Sequence, residues 1–132
     1  MRIAMSLVAL LSIVSIARAD DLETAQSIIR SQEKAIVSDD SATAYSFAGP
    51  PITSMYRSAA VFMYMVQNGY APIYRHKSFE LGVAKSLEDK ISQEVHIIDA
   101  DGVAWEALYV LERQTHGSWK IISCVLSKAV GV

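Results

Sequence analysis

Disulfides are the first thing this chain does without. Cys124 is its single cysteine among 132 residues. No internal bridge can form, so the fold has to stand on its core. A basic excess is also missing. Arg57, Arg75, Lys77, Lys85, Lys90, Arg113, Lys120 and Lys128 are scattered among acids, and without a basic face to neutralise phosphates nucleic acid is not an expected partner. The histidines are few. His76, His96 and His116 stand far apart, with no cysteine or carboxylate at a metal-ligand spacing, so neither a metal nor another cofactor is expected. No Ser/His/Asp or Cys/His order, glycine-rich phosphate loop or dinucleotide fingerprint occurs, which counts against the common hydrolases and nucleotide enzymes. Repeats, low-complexity stretches and linkers are absent too.

What is present at the front is an address. Met1-Arg2 is followed by an almost wholly apolar run, residues 3–16, and then by Ala17-Arg18-Ala19-Asp20. A charged start, an apolar centre and an Ala-x-Ala triplet are the layout of a secretory signal peptide, residues 1–19, cleaved between Ala19 and Asp20. The apolar run falls short of the about 20 residues that cross a bilayer. The residue directly after the cleavage site is Asp20 and not a cysteine, so no lipoprotein anchor is expected. The expected product is periplasmic or secreted, free of the membrane after cleavage, and forms one domain over residues 20–132. Without Arg2 and Arg18 it has ten basic against fourteen acidic residues, a formal charge of −4.

Residues 20–39 carry Leu22, Ala25, Ile28, Ile29, Ala35 and Ile36 at helical spacing, with Asp20-x-x-Glu23 in the order of a capping box. Asp39 or Asp40 can cap a short second helix over residues 41–48, which Gly49-Pro50-Pro51 ends. A third helix is expected over residues 55–67, capped by Thr53 or Ser54 and stopped by Asn68-Gly69. Its run of residues 59–66 has no polar group beyond the Tyr64 hydroxyl, which predicts cover on more than one side. The period then changes. Phe79, Leu81 and Val83 alternate, with Gly82 permitting a bulge. A polar stretch over residues 85–90 leads to a strand over residues 92–99. Asp101-Gly102 turns the chain into a long strand over residues 103–114, and His116-Gly117 turns it again into residues 119–128. On the long strand Trp105, Ala107, Tyr109 and Leu111 share one face; Glu106, Leu108, Val110 and Glu112 share the other. Helices followed by an antiparallel meander define an α+β domain.

The order Asp39-Asp40…Ala44-Tyr45-Ser46-Phe47-Ala48…Pro51-Ile52 is followed by Phe62-x-x-Met65-Val66…Tyr70. Then come Asp101-Gly102-x-x-Trp105…Tyr109-x-Leu111 and Gly117-x-Trp119-x-Ile121-x-x-Cys124. Over nearly the whole mature chain this resembles a bacterial exported family, domain of unknown function 4864. Ser123 stands where that pattern suggests glycine. The layout is also similar to the nuclear transport factor 2-like group. That resemblance implies a cone of N-terminal helices on a curved antiparallel meander, an internal pocket that often holds an enzyme site or a ligand, and frequent homodimers. The catalytic Asp/His or Tyr/Asp motif of the group's enzymes is not recognisable here, and likeness of fold assigns no chemistry.

Adjacent carboxylates can raise one another's pKa, so Asp39 and Asp40 are candidates for acid–base work; helix capping explains them equally. Cys124, within Ile121-Ile122-Ser123-Cys124-Val125-Leu126, reads as an inert core thiol. The cationic run Tyr74-Arg75-His76-Lys77 suits a solvated strand edge or an anionic partner. Tyrosines offer an apolar ring with one hydrogen-bonding group, as a core or a ligand pocket requires. Tyr45, Tyr64, Trp105 and Tyr109 are the expected pocket residues. The leading expectation is a non-enzymatic domain that binds a small apolar or amphipathic ligand, or works as an accessory or interaction module as a homodimer or with a periplasmic protein partner. The alternative is a small lyase or isomerase-like enzyme with a Tyr and Asp/His pocket. A carboxylate beside a tyrosine in an open pocket separates the two.

Overall fold

A computed structural model describes the backbone of residues 2–130 and the side chains of residues 18–130. The charged start and apolar run of the expected signal peptide lie outside the described side chains. Helix α1 (Arg2–Val37) is one continuous element, which corrects the expected start at Asp20. Asp20 and Glu23 sit inside the helix and form no capping box. No glycine or proline precedes them in this stretch, so nothing in the backbone ends the helix there. Among the described side chains of α1, the first tertiary contact lies close to Asp20. Arg18, Ala19 and Asp20 are exposed, whereas Arg113 donates to Asp21 Oδ2 at 2.6 Å and Ala25, Ile29, Gln32 and Ile36 form a buried stripe.

Four short helices follow: α2 (Ser41–Ser46), α3 (Pro50–Thr53), α4 (Ala59–Gly69) and α5 (Ala71–Tyr74). Asp40 caps α2, its Oδ1 accepting from the Thr43 N–H at 3.2 Å. The prolines do not merely end a helix. They open α3, where a missing N–H costs nothing. Helix α4 starts at Ala59 instead of Met55, because Ser58 takes the Val61 N–H at 3.2 Å, while the Tyr45 hydroxyl donates to the Tyr56 carbonyl at 2.6 Å and pins the segment between. Nor is α4 covered on more than one side. Phe62, Met63 and Val66 are buried, but Val61 and Tyr64 are 51% and 69% exposed. Helix α5, built on Pro72, is an element the periodicity did not predict.

The sheet is an antiparallel meander of four strands in the order β1-β2-β3-β4, with β1 (His76–Leu87), β2 (Lys90–Asp99), β3 (Ala104–Arg113) and β4 (Trp119–Lys128). Residues 85–90, expected as a polar connection, are mostly the exposed end of the β1–β2 hairpin. Gly102 and Gly117 hold positive φ in the other two turns, as their sequence contexts require. The expected bulge is found: pairing slips between Leu81 and Ala84, around Gly82. Ala107, Tyr109 and Leu111 face inward with Trp105, and Glu106 and Leu108 face out. The α+β class therefore stands.

Two buried polar devices hold the layers together. Gln93, with no exposed surface, donates to the carbonyls of Gly82 at 3.0 Å and Glu94 at 2.8 Å and accepts from Gln26 Nε2 at 3.0 Å. It satisfies the bulge and ties α1 to the sheet. His76 meets the Ile73 carbonyl through Nδ1 at 2.7 Å and Glu33 Oε2 through Nε2 at 2.8 Å. It latches α5 to α1 and is not a free surface cation.

Residues 47–49 run beside β4. The Gly49 N–H donates to the Ile121 carbonyl at 2.7 Å, and the Ile121 N–H to the Phe47 carbonyl at 2.9 Å. A Cβ on Gly49 would stand 3.1 Å from both Ile122 Cγ2 and Lys120 Cβ. Gly49→Val is expected to lower stability by about 1–3 kcal/mol through overpacking, read as a lower urea midpoint. Gly69→Ala is the control: nothing lies within 4 Å of the added methyl, so its change stays within about 0.5 kcal/mol.

Candidate functional site

Between the helices and the inner face of the sheet lies a cavity of about 320 Å³. Its walls come from α1 (Gln32, Ile36), α3 and the turn after it (Pro51, Ile52, Met55, Tyr56), α4 (Phe62, Met65, Val66), the α4–α5 corner (Tyr70, Ile73) and strands β3 and β4 (Tyr109, Ile121, Ile122, Ser123, Cys124). The buried residues Phe62, Val66, Ile73, Tyr109 and Ile121 make its floor. The exposed Pro51 and Met55 mark its mouth. None of the sixteen lining residues carries a charge.

Its ionisable groups are three phenols and a thiol. Burial pushes the Cys124 thiol up to about 12, opposed only by the hydrogen bond from Tyr109. Burial, followed by the charge of Cys124, also pushes Tyr109 well above the usual phenol value. Tyr70 is raised by burial and then by Cys124 and Tyr56, and its hydroxyl donates to the Cys124 carbonyl at 2.8 Å. Desolvation dominates at Cys124, Tyr109 and Tyr70, so the cavity disfavours negative charge on these three. The expected inert thiol agrees with this: Cys124 is only partly exposed, and a thiol raised to about 12 stays protonated near neutral pH and is a poor nucleophile.

The four expected pocket residues do not come together. Tyr109 is in the cavity floor. Tyr45 stands behind its wall, its ring 5.6 Å from that of Phe62 and its hydroxyl spent on the Tyr56 carbonyl. Tyr64 points to solvent from α4. Trp105 lines a second, shallower cleft of about 560 Å³ with Asn68, Tyr70, Arg75, Asp99 and Asp101. Tyr56 and Tyr70, which sequence reasoning did not single out, complete the phenol set. The available signal was position: Tyr70 follows the Asn68-Gly69 stop, where the chain turns back to the sheet.

The second cleft is larger, but its Asp99, Trp105 and Arg75 side chains are already engaged within the protein. Asp99 Oδ1 accepts from the backbone N–H groups of Asp101 and Val103, both at 2.9 Å, and Oδ2 from Trp105 Nε1 at 2.9 Å. Those bonds, the Val103 N–H first and Trp105 next, hold its carboxyl below the usual range. Asp99 is an ionised organiser of the β2–β3 turn, unsuited to acid–base exchange near neutral pH. Arg75 stacks on Tyr74, 3.7 Å from the ring centroid. The Asp39–Asp40 pair is likewise engaged in local hydrogen bonds. Asp39 accepts the Tyr74 hydroxyl at 2.5 Å, and hydrogen bonds from the Thr43 side chain and backbone hold Asp40 below the usual carboxylate range. Neither residue lines the cavity. Among the described residues, no group of three or more His, Cys, Asp and Glu is placed to hold a metal ion.

Comparison with curated proteins and with solved structures returns no match. Residues 18–132, which include every described strand and all the described side chains of α1, match the family described as "Domain of unknown function (DUF4864)", and the chain belongs to that family.

Proposed function

We propose that this chain is an exported binding domain that holds a small, mainly apolar molecule between its helices and its sheet. The uncharged cavity of about 320 Å³ carries the reading; ligand sites are commonly about 300–1,000 Å³, apolar, with a few placed polar groups. A Tyr-plus-carboxylate lyase or isomerase needs a group that moves a proton beside its phenol. Only phenols and a raised thiol ionise in this cavity, so the geometry favours holding a molecule over converting it. Helices against one face of an antiparallel meander also support the nuclear transport factor 2-like layout, in which such a cavity is a regular feature.

Export is supported by the layout of residues 1–19. Cleavage after Ala19 removes only exposed residues from the described part of α1 and spares the Asp21–Arg113 pair. The cut frees a positive amino terminus at the helix start, so the first turn frays. The test is one preparation, expressed with its own leader and recovered without detergent. Edman sequencing should begin at Asp20, and native mass spectrometry should show an added mass that leaves on denaturation. A retained leader would sink the export reading. A bare protein that also takes up none of the apolar probes named below would sink the binding reading.

A further inference from the structure

The cavity also states what kind of molecule it takes, and this step rests on the binding reading above. Gln32 is 5% exposed. Its Nε2 donates to the Ala44 carbonyl at 3.2 Å, which turns the nitrogen toward α2 and leaves the oxygen on the other side. That oxygen accepts no hydrogen bond among the described residues. Every described side-chain polar atom sealed from solvent has a partner, so the Gln32 oxygen keeps contact with solvent, and Gln32 is one of the residues that line the cavity. The contrast with Gln93 is direct: equally buried, it has its oxygen and its nitrogen both occupied within the protein.

An acceptor in an apolar, uncharged cavity is best met by a neutral donor. A buried donor–acceptor pair is favourable, whereas a carboxylate or ammonium would shed its water with no opposite charge to replace it. Scale follows from volume. An apolar cavity of about 150 Å³ accepts benzene, so one of about 320 Å³ accepts roughly twice that molecule. Met55 and Met65 add walls that adjust to shape. We infer that the cavity selects an uncharged amphiphile of about a dozen non-hydrogen atoms, whose hydroxyl or N–H donates to Gln32 Oε1. The raised Cys124, Tyr70 and Tyr109 agree with this, each being driven toward its neutral form.

The test uses four probes of one ring system at pH 7, titrated calorimetrically into the purified protein: naphthalene, naphthol, methoxynaphthalene and naphthoate. Naphthol is expected to bind about five- to tenfold more tightly than naphthalene, as one added hydrogen bond allows. Methoxynaphthalene, which has no donor, should fall to the naphthalene level, and naphthoate at least about tenfold below naphthol. In Gln32→Met, which keeps the length but removes the acceptor, naphthol should lose its advantage while naphthalene binding holds. The unmodified protein tests the donor even if that variant fails to fold, because the methyl ether removes it from the ligand side. Naphthoate binding as tightly as naphthol would overturn the inference. So would methoxynaphthalene matching naphthol. Equal binding of all four defeats this selectivity and leaves the binding reading intact; no binding by any of them defeats both.

Discussion

Between pH 9 and pH 11 the folded protein is expected to lose about 2 kcal/mol through Cys124 alone. Burial lifts the thiol from 9.0 to about 12, so the native state keeps a proton that the unfolded chain releases. A group raised in the folded state contributes its full stability below the unfolded pKa. It loses that contribution as pH rises toward the folded value, at about 1.4 kcal/mol per pH unit in between. Tyr109 is shifted the same way, burial first, and adds its own loss above pH 10. Against a total of about 5–15 kcal/mol for a domain of this kind, the combined loss brings alkaline unfolding within reach. Urea titrations at stepped pH measure it. Cys124→Ala should flatten the decline between pH 9 and pH 10 and, above pH 10, reduce the slope to the part due to Tyr109. Stability unchanged up to pH 11 in the unaltered protein would mean that the thiol is open to water and that the cavity floor is not closed as described.

The parts of the fold visible in the sequence are those fixed by local chemistry. The two-residue period of Trp105, Ala107, Tyr109 and Leu111 placed the inner face of β3, because a half-buried strand must alternate. Asp101-Gly102 and His116-Gly117 placed two turns, because positive φ selects glycine. The misses share a cause. Thr53, Ser54 and Ser58 are comparable caps, and only the Tyr45–Tyr56 contact, eleven residues apart, decides between them. The β1–β2 hairpin end lies in water on both faces, so it shows no alternation to read. For the cavity, helical phase correctly separates inward from outward residues on α1. It cannot find Tyr56 and Tyr70, which enter from a turn and a helix cap, where no period exists. Gln32 was hidden for a different reason: a glutamine on a helix is ordinarily solvated, and its burial follows from the fit of α2 over α1.

Phe79→Ala is expected to cost about 3–5 kcal/mol, the usual price of emptying a buried aromatic site. The magnitude follows from where Phe79 stands. It is 4% exposed on the inner face of β1, its ring meets Tyr109 edge-on at 6.3 Å and His76 at 5.3 Å, and the Arg30 guanidinium lies 5.6 Å over its face. Its carbonyl also takes the Arg30 Nη1 hydrogen bond at 2.7 Å. One side chain therefore joins α1, the His76 latch and the cavity floor. Truncation leaves a void that these neighbours are poorly placed to fill, since His76 is held by Ile73 and Glu33 and Tyr109 by the sheet on both sides. Leu108→Ala is the matched control: it lies on the outer face at 42% exposure, and its loss should stay within about 1 kcal/mol. Thermal and urea unfolding of the two variants read the difference. Because Tyr109 floors the cavity, Phe79→Leu, which restores most of the volume, should recover both stability and probe binding. Equal costs at Phe79 and Leu108 would contradict the division of the sheet into a packed face and a wet one, and with it the cavity that the packed face closes.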